Sequence, residues 1–114
     1  MTNKNTEAIV SSTKTYYDGP ADQIYRTIWG DNLHLGVPCS EECPHPEAME
    51  HTNEIMAQAV HLTPETRVLD LGCGYGSTAR YLASEYGCQI TAINISETEL
   101  ELAWDRTLEA ALEN

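Results

Sequence analysis

Val68-Leu69-Asp70-Leu71-Gly72-Cys73-Gly74-Tyr75-Gly76-Ser77 sets the architecture of this chain. Val68 to Leu71 is a short, mostly apolar run, consistent with a buried strand. Glycines at 72, 74 and 76 then turn the backbone sharply. Ser77 to Tyr86 reads as a helix, with Gly87 placed as its C-terminal stop. Cys88 to Ile95 follows as a second strand. Ser96 and Glu99 have the spacing of a capping box. A last helix is predicted over 97–113, with Leu100, Ala103, Trp104, Leu108, Ala111 and Leu112 on one face. Strand, glycine loop, helix, strand and helix make a right-handed crossover between parallel strands. That is the opening unit of a doubly wound α/β sheet.

Upstream of this unit the pattern is helical. A helix is expected over 46–61, with Met49, Ile55, Met56, Ala59 and Val60 facing the core, before Thr63-Pro64 breaks the chain. Gly30, Gly36, Pro38, Pro44 and Pro46 mark 30–46 as a loop. Residues 21–29 place Ile24, Tyr25, Ile28 and Trp29 at helical spacing, with Tyr25 and Trp29 expected to face the core. Residues 1–15 are rich in Thr, Ser, Asn and Lys and read as a disordered lead-in. The expected organisation is this lead-in, a helical lid over 16–62, and an α/β part over 63–114.

At 114 residues the chain has room for one small domain. Eighteen acids against six bases give a net charge of -12. That excludes a basic nucleic-acid footprint and disfavours anionic membrane surfaces. No run is long and apolar enough for a transmembrane helix, and the first residues lack an apolar signal region. Cys39, Cys43, Cys73 and Cys88 form a poor layout for a disulfide framework, so a cytoplasmic setting is expected. Cys39-x-x-x-Cys43-x-His45, with His34 and His51 nearby, has untidy spacing for zinc, and the prolines explain the segment as a stiff loop. No metal is expected, and Cys73 is expected to be a small buried filler.

The chemistry lies in the glycine loop. A helix following such a loop directs free N–H groups at a ligand. A dinucleotide fingerprint would space its third glycine one residue later and end the second strand with an acid. Here the third glycine is early and the strand ends at Asn94. Asp70, standing just before the loop, suits a ligand with a positive end.

Asp70-x-Gly72-x-Gly74-x-Gly76 after an apolar strand resembles motif I of class I S-adenosylmethionine-dependent methyltransferases, over about residues 62–100. The resemblance implies that the glycine loop packs under the methionine part of S-adenosylmethionine and that Asp70 helps hold its amino group. A narrower resemblance rests on Tyr16-Tyr17-Asp18, Tyr25, Ile28-Trp29-Gly30, Leu33-His34-Leu35-Gly36 and Ile93-Asn94-Ile95-Ser96. These are similar to sarcosine/dimethylglycine N-methyltransferases, which make glycine betaine. Phosphoethanolamine methyltransferases are similar in the same places, and the cyclopropane-fatty-acid synthases share the strand-end pattern. By this resemblance Asn94 and Glu99 meet the ribose hydroxyls, and Tyr16 or Tyr17 lies near the sulfonium and the substrate nitrogen. Methyl transfer is an in-line displacement in which the protein mainly positions two reactants. A tyrosine face can stabilise a sulfonium by cation–π attraction.

The resemblance also implies a longer sheet than two strands. The fold class expected is therefore an incomplete α/β Rossmann-like methyltransferase: N-terminal helices and the first β-α-β-α unit. The chain reads as a truncated product, half of a split enzyme or a fragment, for which independent catalysis is not expected. The edge of Val68–Leu71 is then open to association. The alternative is a non-catalytic module whose sheet is completed by a second chain or by self-association.

Overall fold

The computed structural model describes residues 3–112. Its elements run α1 (Lys4–Tyr17), α2 (Pro20–Trp29), α3 (His45–Ala59), β1 (Arg67–Leu71), α4 (Ser77–Tyr86), β2 (Gln89–Ile93) and α5 (Glu97–Glu109). The two strands are parallel, with Val68 opposite Ile90 and Asp70 opposite Ala92.

The strand–loop–helix unit forms where its glycines place it. Gly72 and Cys73 both donate their N–H to the Ile93 carbonyl, at 2.8 and 3.1 Å, which pins the loop to the end of β2. Gly76 stands before α4 at φ 72°, and Gly87 closes α4 at φ 66°. The crossover helix then lays Leu82 on the sheet. Leu82, Ala57 and Cys88 form the buried core, with Val68, Tyr81, Tyr86 and Ile90 packed against them. A cavity of about 240 Å³ lies between α4, β2 and α5.

β1 is not buried on both faces, as its apolar run suggested. Leu69 and Leu71 are 59% and 70% exposed, beside Ile93 at 48%. Among the described residues, helices cover only the face that carries Val68 and Ile90. β2 is also shorter than expected, because Asn94 and Ile95 form the lead into α5. That helix ends at Glu109, and Ala111 takes φ 54°; residue 113 lies outside the described residues. Its expected apolar face is divided: Ala103 is buried, whereas Trp104 and Leu108 are exposed.

α3 buries Met49 as expected, but the rest of its inward face differs from the one expected. Ala48, Met49, Asn53 and Ala57 are buried, while Ile55, Met56 and Val60 are exposed. Close approach explains the small residue at Ala48. Gly36 rides so tightly on α3 that a Cβ there would lie 2.6 Å from the Ala48 Cβ. Asn53 is buried because it accepts a hydrogen bond from the Thr78 hydroxyl at 3.0 Å.

Most of the stretch expected to be a disordered lead-in is α1. Its helix is polar and buries no residue, so it offers no apolar periodicity to read. Local chemistry supports it instead: Asn3 caps the N-terminus by accepting from the Asn5 N–H, and Lys14 sits in the last turn. Its end is docked on α5 by Lys14 to Glu97 at 2.8 Å and by the Ser96 hydroxyl donating to Asp18 at 2.6 Å. Cys39 and Cys43 are joined in a disulfide, contrary to the layout argument. The Cys43 N–H bonds the Ser40 carbonyl in a turn that brings the two Cα atoms to 5.5 Å.

Candidate functional site

A cavity of about 420 Å³ opens between the glycine loop and the N-terminal helices. Asp70 reaches it from the end of β1, and Gly72, Cys73, Gly74 and Tyr75 form one wall. Opposite stand Tyr17 of α1, Tyr25 and Trp29 of α2, and Leu33 and His34 of the following loop; Glu99 enters from α5. Tyr25 and Trp29 therefore line the cavity rather than the core they were expected to face.

Polar straps hold the helical half over the loop. The Tyr75 hydroxyl donates to the buried Asp22 carboxylate, and Arg26 Nε lies 3.3 Å from the same carboxylate. The Ser77 hydroxyl donates to the Asn32 side-chain carbonyl. At Gly74 (φ 53°) an added Cβ would sit 3.3 Å from the Leu33 Cδ1. The loop thus needs glycine there both for its backbone and for contact with Leu33.

Burial shapes the electrostatics of the wall. It raises the Asp70 carboxyl above its ordinary value. It raises Glu99 as well, against the opposing hydrogen bond from the Asn94 amide. The Cys73 thiol is raised by burial and by Asp70. The Tyr75 phenol is pushed well up by burial and by its bond to Asp22. Asp70 Oδ2 and His34 Nε2 are buried without a hydrogen-bond partner among the described residues. A buried, unpartnered polar atom in a cavity wall is costly unless a ligand or water meets it.

The structure brings together Tyr17, Asp70, Gly72, Gly74 and Glu99 at this cavity. Gly76 lies behind it as the N-cap of α4, where a Cβ would meet the Ala103 Cβ at 3.3 Å. Tyr16 is half-exposed and outside the lining; its hydroxyl is 3.2 Å from that of Tyr25, a bond that raises its phenol. Asn94 also lies outside the lining and donates its amide N–H to the Glu99 carboxylate. The capping box is therefore one-sided: the Ser96 hydroxyl accepts from the Glu99 N–H at 3.1 Å, but the Glu99 side chain serves Asn94. Sequence reasoning missed Tyr75, Asn32 and Ser77 as organisers of the site. Tyr75 reads as a spacer between glycines, and no local pattern reveals that it reaches Asp22, 53 positions away.

Cys39, Cys43 and Glu47 form a separate cluster whose donor atoms lie within 4.8 Å of one another, with both sulfurs engaged in the disulfide.

Residues 6–114 match the family model described as mycolic acid cyclopropane synthetase. The chain is 45% identical over 92 residues to a glycine/sarcosine/dimethylglycine N-methyltransferase of Actinopolyspora halophila, covering 79% of this chain and 16% of that protein. It is 41% identical over 97 residues to a sarcosine/dimethylglycine N-methyltransferase of Halorhodospira halochloris, covering 83% of this chain and 35% of that protein. The chain thus spans about a third or less of these curated relatives. Among solved structures it is similar to a Galdieria sulphuraria protein assigned as a sarcosine dimethylglycine methyltransferase, with TM-score 0.76, 27% identity, and coverage of 83% of this chain and 38% of that one. The [4+2]-cyclase SpnF shares the fold at TM-score 0.81 and 24% identity, covering 91% of this chain and 39% of its own.

Proposed function

The chain belongs to the mycolic acid cyclopropane synthetase family of class I methyltransferases, and on that premise we propose that it is the cofactor-binding part of a small-molecule N-methyltransferase. The methyl donor of the family is S-adenosylmethionine. The observation that carries the reading is Asp70: its Oδ2 is buried, unpartnered, and set beside the glycine loop in a cavity wall. A carboxylate so placed fits an ammonium group.

In this reading Asp70 receives the amino group of the cofactor, and Gly72, Gly74 and Gly76 let the backbone pass under its methionyl chain. Glu99 meets the ribose, with Asn94 holding the Glu99 carboxylate in place. Tyr17 presents its ring toward the sulfonium, and Tyr16 orients the tyrosine pair; their rings meet edge to face at 5.2 Å. When bound, the cofactor supplies an electrophilic methyl group. The protein's part is to orient the acceptor and exclude water. The proposed acceptor is a small amine, sarcosine or dimethylglycine, on the route to glycine betaine, as the names of the relatives suggest. A cytoplasmic setting and the division into a lid over 16–62 and a cofactor half over 63–114 belong to the same proposal.

Calorimetric titration of the folded chain with S-adenosylmethionine and S-adenosylhomocysteine tests it. Saturable binding that is lost in Asp70→Ala and Gly74→Val supports the reading. No binding by a chain that unfolds cooperatively would overturn it. The second reading is an association module, half of a split enzyme or a self-associating chain, and one observation favours it: the exposed apolar sheet face of Leu69, Leu71 and Ile93.

A further inference from the structure

The loop between α2 and α3 carries a group of side chains that the cavity does not use. Cys39 and Cys43 lie 5.5 Å apart at their Cα atoms, brought together by the turn that the Cys43 N–H closes on the Ser40 carbonyl. Glu47 stands in the first turn of α3. Its carboxylate and the two sulfurs lie within 4.8 Å of one another, with Cys39 and Glu47 exposed and Cys43 half-buried. Among the described residues Glu47 has no ion pair or side-chain hydrogen bond.

Two thiolates and a carboxylate are a ligand set for zinc, a borderline-soft divalent cation. Tetrahedral zinc holds sulfur at about 2.3 Å and carboxylate oxygen at about 2.1 Å, which sets the sulfurs about 3.8 Å apart and each about 3.6 Å from the oxygen. The three donor atoms already sit on that scale, so side-chain rotation closes the shell once the disulfide is open. Charge agrees with this. Glu41 and Glu42 lie in the turn between the two cysteines, and no Lys or Arg occurs between Arg26 and Arg67, so the segment carries no competing side-chain ammonium or guanidinium of its own. Cys43 stands just before Pro44, the N-cap of α3, and a helix N-terminus favours a thiolate. Sequence spacing hides this set, because it offers His45 as the third ligand. In the fold the His45 ring packs edge-on against Trp29, with centroids 6.2 Å apart, and Glu47 stands beside the sulfurs instead.

We propose that Cys39, Cys43 and Glu47 form a redox-gated site for a zinc-class divalent cation, closed by the disulfide and opened by its reduction. A dithiol reductant opens it: one of its thiolates attacks a sulfur, the Cys39–Cys43 bond breaks, and the second thiol of the reductant resolves the mixed disulfide. The reductant leaves as its own disulfide, having given up two electrons, and the chain holds two thiols. The cation then displaces both thiol protons to solvent, and the Glu47 carboxylate and a water complete its four ligands. A bound cation ties the loop after α2 to the first turn of α3 in place of the disulfide. The site does not depend on the cofactor reading.

The test uses the full chain, reduced with a dithiol that is then removed without oxygen, and titrated at neutral pH with Co²⁺ and with Zn²⁺. One Co²⁺ per chain is expected, with the visible absorption of a tetrahedral site and a thiolate charge-transfer band, both lost when Zn²⁺ displaces it. Binding should release about two protons, since free thiols are mostly protonated at neutral pH. The oxidised chain should bind none. Cys39→Ser with Cys43→Ser should abolish binding, and Glu47→Gln should weaken it at least about tenfold. Binding by the oxidised chain or by the serine pair, or unchanged affinity in Glu47→Gln, would overturn the proposal, as would the absence of saturable binding by a reduced, folded wild type. Alkylation of the reduced wild type gives a readout that needs no variant: Zn²⁺ must protect Cys39 and Cys43, and protection of Cys73 in their place, or of no cysteine, refutes the assignment.

Discussion

Burial holds the Asp70 carboxyl above its ordinary value of 3.8, so its ionisation works against folding. Below that value the group is protonated in both folded and unfolded chains and its contribution is intact. As pH rises through the higher folded value, the folded chain must carry a poorly solvated charge and loses stability. Asp70→Asn removes that charge at neutral pH. The expected outcome is a variant that melts at a higher temperature than the wild type at pH 7, with the difference vanishing near pH 4 and below. The same change should weaken S-adenosylhomocysteine at least about tenfold, because the ammonium loses its charged partner. Thermal scans across pH and a binding isotherm check the two halves. The glycines differ in a similarly local way. Gly76→Ala combines a left-handed backbone with contacts at 3.1 Å to Arg80 and 3.3 Å to Ala103, whereas Gly72 at φ 78° has open space around its missing Cβ. The first substitution should cost about 1–3 kcal/mol in urea unfolding, and the second nearer the lower end.

Between elements, the bond that matters most is Tyr75 to Asp22, which fastens α2 to the glycine loop. Both residues are buried, so Tyr75→Phe leaves a carboxylate with only Arg26 beside it. A loss of about 1–3 kcal/mol is expected, together with faster amide exchange in α2 than in α4. Equal exchange in the two helices would show that the strap does not hold α2. This bond also marks where sequence reading stops. α4 is legible to the residue because Gly76 and Gly87 punctuate it and its context is local. α2 is legible for similar reasons, with Pro20 at its start and Gly30 at its end. α1 is not, since a helix with no buried side chain leaves no periodic trace. The inward face of α3 is only partly legible, because the close approach of Gly36 at Ala48 and the bond from Thr78 to Asn53 turn those residues inward in place of Ile55 and Met56. At the site, Asp70 and the glycines are legible from their spacing. Asn32, His34 and Tyr75 are not, because long-range folding alone brings them to the cavity.

For the whole molecule, the two-stranded sheet is the controlling fact. Such a sheet is marginal unless something covers it. Helices cover the Val68–Ile90 face, which among the described residues leaves Leu69, Leu71 and Ile93 in solvent and one edge of β1 unpaired. The relatives extend well beyond the region this chain matches, and an apolar face on a mostly buried type of sheet invites a partner. Opposing this is the net charge of -12, which makes like chains repel. The two forces respond oppositely to salt: screening weakens repulsion while leaving apolar burial intact. Sedimentation of the wild type should therefore show a mass that grows with protein concentration, and grows further on going from low to moderate salt. Leu69→Lys with Leu71→Lys should stay monomeric at both, with unchanged helix content by circular dichroism. The choice of lysine separates the causes, since each one lowers the net negative charge and by repulsion alone would promote association. A wild type that stays monomeric at every salt, or a lysine pair that associates as strongly, would remove the sheet face as the driving surface and with it the support for the association reading.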